Sequence, residues 1–195
     1  MDKVKAFAVE LGYIRSDRIK NSCIEMIKLL PDYFFEVAAS STGKYHPSYA
    51  LGEGGLLRHT KAAVRIGYEL LQDSCIGNKY TSDEKDLMLM GILLHDGLKH
   101  GMPKEQYTRF DHPLLMADYI MDNEEVLGLE VEEIEFLIDV IKTHMGPFTR
   151  DYKGNEVLEM PKTKYQNFVH MCDNLASKKF LVVPFDENNN INGVV

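Results

Sequence analysis

Six residues spread along the chain have side chains of the types that bind divalent metal ions in proteins. His95 and Asp96 are adjacent and close the apolar run at positions 87–94. An imidazole and a carboxylate rarely end a buried helix unless a partner offsets the cost of removing them from water. A metal ion offsets that cost directly, because it accepts nitrogen and oxygen lone pairs. The other four candidates are His59, His112, His144 and Asp173.

The positions of these four residues strengthen the prediction of a metal site. His144 continues the apolar stripe of a predicted helix, and Asp173 follows Val169 by four residues, which places it on an inward face. His59 lies one turn into a predicted helix, and His112 lies at a helix entry. Neutral imidazole and carboxylate together suit Zn, Fe and Mn, and the lack of thiolate ligands argues against a closed structural zinc site.

The hydrophobic spacing predicts an all-α fold that positions these side chains. One domain is expected over 1–185, followed by a flexible polar tail over 186–195. The helix over 82–94 is apolar nearly all round in its second half, which predicts a central position. A long loop or small hairpin is expected near 145–163. The other predicted helices cover about 17–30, 34–38, 56–71, 113–121, 131–144 and 165–180.

Composition limits the class of protein. The net charge is −8, but eight acidic residues fall between positions 122 and 139, and the rest of the chain holds 22 acidic against 22 basic residues. A duplex-binding surface is therefore not indicated, although a locally positive cleft is possible. The three cysteines form no CxxC pattern, and no apolar stretch approaches the ~20 residues of a membrane span. These features predict a cytoplasmic protein without membrane association.

The ordered set of six residues resembles the HD superfamily of metal-dependent phosphohydrolases, in particular its subset with two extra histidines and a binuclear centre. The phrases around His144 and Asp173 are similar to those of the HD-type 3′→5′ exoribonucleases. The resemblance spans about 53–178. The local phrases that carry it are Gly-Gly-Leu-Leu-Arg-His59-Thr, Leu-Leu-His95-Asp96-Gly-Leu-Lys99, Asp-His112-Pro, Lys-Thr-His144-Met-Gly and Met-Cys-Asp173-Asn-Leu-Ala-Ser.

The resemblance implies two divalent transition-metal ions, with Mn or Fe expected and Zn, Ni or Mg as alternatives. Asp96 would bridge the ions and orient the attacking water, and Lys99 would face the scissile phosphate. The first ion would be held by His59, His95, Asp96 and Asp173. The second would be held by His112, His144 and Asp96.

Further substrate contacts are predicted less specifically. Lys99 and Arg109 fall in the loop between two ligand positions, where fixed positive charge would stabilise the transition state of phosphoryl transfer. Arg150 lies in the later loop, and His46 is a candidate for substrate contact or for support of a ligand. The alternative interpretation for both arginines is a solvated loop.

These residues predict a metal-dependent phosphodiesterase that acts on a nucleotide or a single-stranded nucleic-acid end. The exoribonucleases carry an extra nucleic-acid-binding domain for which this sequence gives no signal. A phosphomonoesterase or pyrophosphohydrolase of small nucleotides is therefore an alternative. A non-catalytic nucleotide-binding sensor on the same scaffold is a second alternative, and the complete ligand set argues against it.

Overall fold

The computed structural model describes residues 2–44 and 46–193. Its only β-structure in that part of the chain is two isolated bridges, so the predicted all-α class is confirmed. Two short 3-10 helices cover Asp32–Phe35 and Ser48–Ala50. The α-helices, α1 to α10, cover Lys3–Ala6, Ala8–Leu11, Asp17–Leu29, Gly55–Gln72, Ser74–Gly77, Ser82–Leu94, His112–Asp122, Glu124–Leu127, Val131–Lys142 and Lys164–Ala176.

Helix α6 lies at the centre of the bundle, as its apolar sequence predicts. It packs against α3, α4, α9 and α10. Thr81 and Glu84 form a capping box at the first turn of α6. Their side chains accept hydrogen bonds from backbone N–H groups that have no helical carbonyl before them. Every residue from Asp86 to Leu94 is buried. The hydrophobic energy of this burial fixes the position of the helix end that carries His95.

A glycine brings α9 unusually close to this central helix. A Cβ atom built on Gly91 would lie 2.8 Å from Val140 Cγ2, which is nearer than real Cβ contacts come. The helices therefore pack closely because position 91 has no side chain. Helix α9 ends at Lys142, so His144 lies in the turn after it and not on the helix as predicted.

Helix α4 begins beside the chain segment that precedes it. Gly54 caps it in the left-handed conformation with φ 69°, a backbone geometry that glycine adopts at little cost. A Cβ on Gly55 would lie 2.3 Å from the Ala50 carbonyl oxygen, so this glycine permits a backbone contact. The Gly-Gly pair thus serves local packing at the start of the helix that carries His59.

The non-helical segments differ in part from their predictions. Residues 145–163 form a loop with one antiparallel bridge between Arg150 and Glu156, consistent with the small hairpin expected there. Helix α10 ends at Ala176, four residues before the predicted end. The short helix expected over 34–38 is a 3-10 helix that ends at Phe35.

Residues 186–193, for which the sequence predicts a flexible tail, form a turn that lies against α4. Asn189 Oδ1 accepts a hydrogen bond of 2.6 Å from Arg58, and Asn190 Oδ1 accepts one of 2.9 Å from the buried Lys61. Residues 194 and 195 lie outside the described part of the chain. Among the described helices, none combines the length and the low polarity required to cross a bilayer.

Candidate metal centre

The six predicted ligands come together from five different segments of the chain. Helices α4 and α10 contribute His59 and Asp173, while α7 begins with His112. His95 and Asp96 follow α6, and His144 follows α9. All are buried except Asp173, whose side chain is 18% exposed. Helix ends therefore bring the donors together, although the ligands are up to 114 residues apart in sequence.

His95 and Asp96 are adjacent in sequence, yet both reach the centre because α6 ends at Leu94, just before them. Residues 95–104 form successive turns, and Gly97 donates its N–H to the Leu94 carbonyl at 2.8 Å. A Cβ on Gly97 would lie 2.6 Å from Met116 Sδ and 2.8 Å from Leu30 Cδ2, so any side chain here would have to displace them. Gly97 therefore lies in the turn after α6 and allows α7 to pack closely against it.

The two oxygens of the Asp96 carboxylate face different histidines. Oδ1 lies 2.9 Å from His112 Nε2 and 3.7 Å from His144 Nε2. Oδ2 lies 3.3 Å from His95 Nε2 and 3.9 Å from His59 Nε2. A single carboxylate thus lies between two pairs of imidazoles, which is the arrangement that a bridging ligand of two ions requires.

Three of the histidines have their tautomers fixed by the backbone. The Nδ1 atoms of His95, His112 and His144 lie 2.6, 2.6 and 2.8 Å from a carbonyl oxygen three residues earlier. A carbonyl only accepts hydrogen bonds, so each Nδ1 must carry the proton. In the neutral ring, each Nε2 then presents a lone pair to the Asp96 carboxylate, the orientation that metal-binding histidines adopt.

The buried acceptors of the centre outnumber the hydrogen-bond donors that face them. His112 Nε2 and His144 Nε2 are only 3.1 Å apart, although both are acceptors when neutral. Within the described residues, His95 Nε2 and Asp96 Oδ1 are buried and have no hydrogen-bond partner. Uncompensated buried acceptors are costly and uncommon. A cation at this position, either a proton or a metal ion, would satisfy several of them at once.

The pKa shifts follow from burial and from the two carboxylates. Burial lowers the pKa of His144 to about 4, because desolvation outweighs the attraction of Asp96. Burial also opposes charge on His95, but Asp96 and Asp173 overcome it and raise the pKa of His95 to about 10. The carboxylates are strongly buried, yet the cations and imidazoles around them hold the pKa of both well below the usual value. The centre therefore favours a bound cation.

The other half of the centre is built around Asp173. Its Oδ1 lies 2.9 Å from His59 Nε2 and 3.5 Å from His95 Nε2. The ligand atoms of His59, His95 and Asp173 all lie within 4.8 Å of one another, as do those of His95, Asp96 and His144. These two groups share His95, and either has the donor types and spacing to hold a metal ion.

Lys99, predicted to face the substrate, lies at the edge of this centre. Its ammonium is 2.5 Å from Asp96 Oδ2, and its side chain is only 9% exposed. Lys99 thus neutralises one side of the bridging carboxylate, whereas Oδ1 on the other side has no comparable cation among the described residues.

The remaining predicted substrate contacts differ in how close their side chains lie to the centre. His46 packs edge-on against His59 with ring centroids 4.9 Å apart, and burial lowers the pKa of His46 to about 3. Arg109 supports His112 through its carbonyl oxygen, but its guanidinium is held by Asp111 and by Glu105. Arg150 contacts residues of its own hairpin, at Gly154 and Glu156. The structure therefore brings His46 to the centre but leaves both guanidinium groups engaged elsewhere.

Two further features lie beside the predicted ligands. His170 Nδ1 donates a 2.7 Å hydrogen bond to the His144 carbonyl oxygen, which supports the turn that carries this ligand. A groove of about 560 Å³ lies between residues 105–111 and the hairpin that contains Tyr152. The groove is lined by exposed aromatic residues, which leave no periodic signal in a sequence.

Comparison with protein-family models, with curated proteins and with solved structures finds no match to this chain. The case for the centre therefore depends on its own geometry. That geometry consists of two overlapping buried groups of His and Asp, with unpaired acceptors, in a helical bundle. The residues present could hold a metal ion.

Proposed function

We propose that this chain is a metal-dependent phosphodiesterase of the HD type that hydrolyses a phosphoester in a nucleotide or a single-stranded nucleic-acid end. One observation carries the proposal: the Asp96 carboxylate lies between two pairs of imidazoles, and three of the four rings direct a lone pair toward it. Such a donor set without thiolates is typical of catalytic metal sites.

Two ions are the best match to the number of donors. His59, His95 and Asp173 would hold one of them together with Asp96 Oδ2, while His112 and His144 would hold the other with Asp96 Oδ1. Mn or Fe fits this mixture of nitrogen and oxygen donors, with Zn, Ni or Mg as alternatives. When bound, such ions polarise phosphoryl oxygens and lower the pKa of a coordinated water.

The side chains of the protein would position the reacting groups. Asp96 is held by packing on all sides and is 1% exposed, so its two oxygens keep fixed directions. Lys99 places an ammonium beside it, where a positive charge would stabilise negative charge that develops on the phosphate in the transition state. His46 covers the His59 side and would limit access of water to that ligand.

The charges beside the centre do not distinguish a diester from a monoester. Arg109 is neutralised by Asp111 and Glu105, so Lys99 is the only cation beside the centre among the residues described. A phosphodiester carries one negative charge, whereas a monoester carries nearly two at neutral pH. Two divalent ions together with Lys99 would outweigh the charges of Asp96 and Asp173 and would accept either substrate. The diester is therefore proposed on the resemblance of the sequence phrases. Monoester and pyrophosphate substrates are the alternatives that the experiment must distinguish.

The direct test is elemental analysis of the purified protein, followed by hydrolysis assays on bis-p-nitrophenyl phosphate, p-nitrophenyl phosphate and nucleotides. The expected result is bound metal and faster hydrolysis of the diester than of the monoester. The control variant Asp118→Asn should keep both metal content and activity, because Asp118 is exposed on the same helix as His112 and is not a candidate ligand. Metal-loaded protein that hydrolyses none of these substrates would refute the proposal.

A further inference from the structure

The groove between residues 105–111 and the hairpin has an aromatic and apolar lining. Tyr107 and Tyr152 are 62% and 90% exposed, and Phe110 and Val157 line the groove with them. Large aromatic side chains left in water at one place suggest a binding surface. The volume of about 560 Å³ is within the usual range for small-molecule sites.

This groove is joined to the metal centre through two consecutive residues. Asp111 lines the groove, and His112 directly after it is a ligand of the centre. Arg109 also lines the groove, and its carbonyl oxygen fixes the His112 ring at 2.6 Å. A molecule that occupied the groove would therefore contact the segment that leads directly into His112.

The charges of the lining indicate which part of a substrate fits there. The only cation among the lining residues is Arg109, and Glu105 and Asp111 neutralise it. Asp151 adds another carboxylate. The lining is therefore net negative, although the Lys153 ammonium lies 5.4 Å from the centre of the Tyr152 ring. An uncharged planar ring would stack on the tyrosines and find acceptors at the rim.

We propose that this groove binds the aromatic base of a nucleotide while its phosphate reaches the metal centre. The inference rests on the proposed function for the position of the phosphate, but the groove itself can be tested without catalysis. Stacking of a base on an aromatic side chain contributes roughly a 5- to 100-fold gain in affinity and does not depend on base sequence. Tyr152 is the best candidate, because it is the most exposed.

Calorimetric titration of the metal-loaded full chain tests this binding site. Adenosine has a base but no phosphoester, and ribose 5-phosphate has a phosphate but no base. We expect adenosine to bind, Tyr152→Ala to weaken its binding about 5- to 100-fold, and Tyr152→Phe to restore it, since stacking requires the ring and not the hydroxyl. Phe180→Ala, at a side chain that is 80% exposed and outside the groove lining, is the control and should leave adenosine binding unchanged.

The results separate this inference from the proposed function. No binding of adenosine, or equal binding by the wild type and Tyr152→Ala, would overturn the base site even if the protein hydrolyses bis-p-nitrophenyl phosphate. Absence of any phosphoester hydrolysis would remove the proposed function, and adenosine binding that depends on Tyr152 would still establish the groove as a base-binding site.

Discussion

Two regions of this protein bury charge, and they do so in opposite ways. Glu10 and Lys61 are 2% and 1% exposed and form a pair with 3.5 Å between Oε2 and Nζ. Burial raises the pKa of Glu10 and lowers the pKa of Lys61, so each partner is shifted toward its neutral form. At the metal centre, the carboxylates are shifted the other way, with Asp96 held well below its usual pKa.

The difference lies in the partners of each carboxylate. One ammonium, 3.5 Å away, does not offset the burial of Glu10, whereas Lys99 at 2.5 Å and the surrounding imidazoles outweigh the burial of Asp96 and lower its pKa. Glu10 and Lys61 are one anion and one cation, and Asn190 accepts a further hydrogen bond from the ammonium. The metal centre gathers two carboxylates and four imidazoles around one lysine. Glu10 Oε2 also lacks a hydrogen bond, but it faces one ammonium, and such a one-to-one pair is typical of structural ion pairs. A cluster of carboxylates and imidazoles that outnumbers its cations is typical of sites that bind a cation.

The largest expected effect comes from removal of the carboxylate between the imidazoles. Asp96→Ala should abolish turnover, because one residue serves both halves of the centre, while the helical core should survive. Activity assays and circular dichroism on the same preparation check this. Retained activity with an unchanged spectrum would mean that the chemistry takes place elsewhere.

Lys99→Ala tests whether the cation of the centre acts on the substrate or only neutralises Asp96. If it faces the phosphate, kcat should fall by roughly 10²–10³, by analogy with the loss of an oxyanion donor. Metal content should stay at the wild-type level, since an ammonium has no lone pair to offer. Chelator titration should also show equal or tighter metal binding, because a charge that competes for Asp96 Oδ2 is gone.

An unchanged kcat in that variant, with full metal content, would reduce Lys99 to a counter-ion of Asp96. Lys28→Ala is a suitable control, because Lys28 is a half-exposed lysine whose ion-pair partner is Glu25 on α3.

Breaking the structural pair should affect stability and leave metal binding intact. Lys61→Met leaves Glu10 buried without its cation, which should cost about 3–5 kcal/mol in the free energy of unfolding. The double variant Glu10→Gln/Lys61→Met should recover most of that loss, since the uncompensated charge is removed. Urea denaturation with metal analysis checks both, and loss of metal without loss of stability would contradict the distinction drawn between the two regions.

The smallest expected effect is partial loss of metal. His112→Ala and His144→Ala each remove a donor that faces Asp96 Oδ1 and leave the group of His59, His95 and Asp173 intact. Metal content should fall from about two ions per chain to about one. Elemental analysis after reconstitution with Mn or Fe checks this, and a wild-type content of at most one ion would show that the centre is not binuclear.

Much of the fold follows from local sequence signals. Thr81 and Glu84 mark the start of α6 as a capping box, and the bounds of this helix match those predicted. The place of His144 was predicted less well, because an apolar stripe of period 3.6 continues past the residue where the backbone leaves the helix. Hydrogen bonds of Asn189 and Asn190 to α4 also could not be predicted, since polar residues in a tail carry no signal of their partners.

The site was predictable in composition but not in arrangement. Spacing alone placed Asp173 on an inward face, and the structure has it within 2.9 Å of His59. The division of Asp96 between two pairs of histidines came from the family resemblance, because two adjacent residues on a regular helix would point about 100° apart. Tyr152 was not identified, because an exposed aromatic residue in a loop has no neighbours in sequence that reveal its role.

The missing side chain at position 91 sets a dimension of the metal centre. His95 follows Gly91 by four residues and His144 follows Val140 by four, so each ligand extends about one helical turn beyond the same contact. The ring centroids of these histidines are 4.8 Å apart. The contact therefore acts as a spacer between the two halves of the centre. We expect a larger residue at position 91 to move His95 and His144 apart, so the separation of two candidate ligands depends partly on a helix contact that lies outside the centre itself.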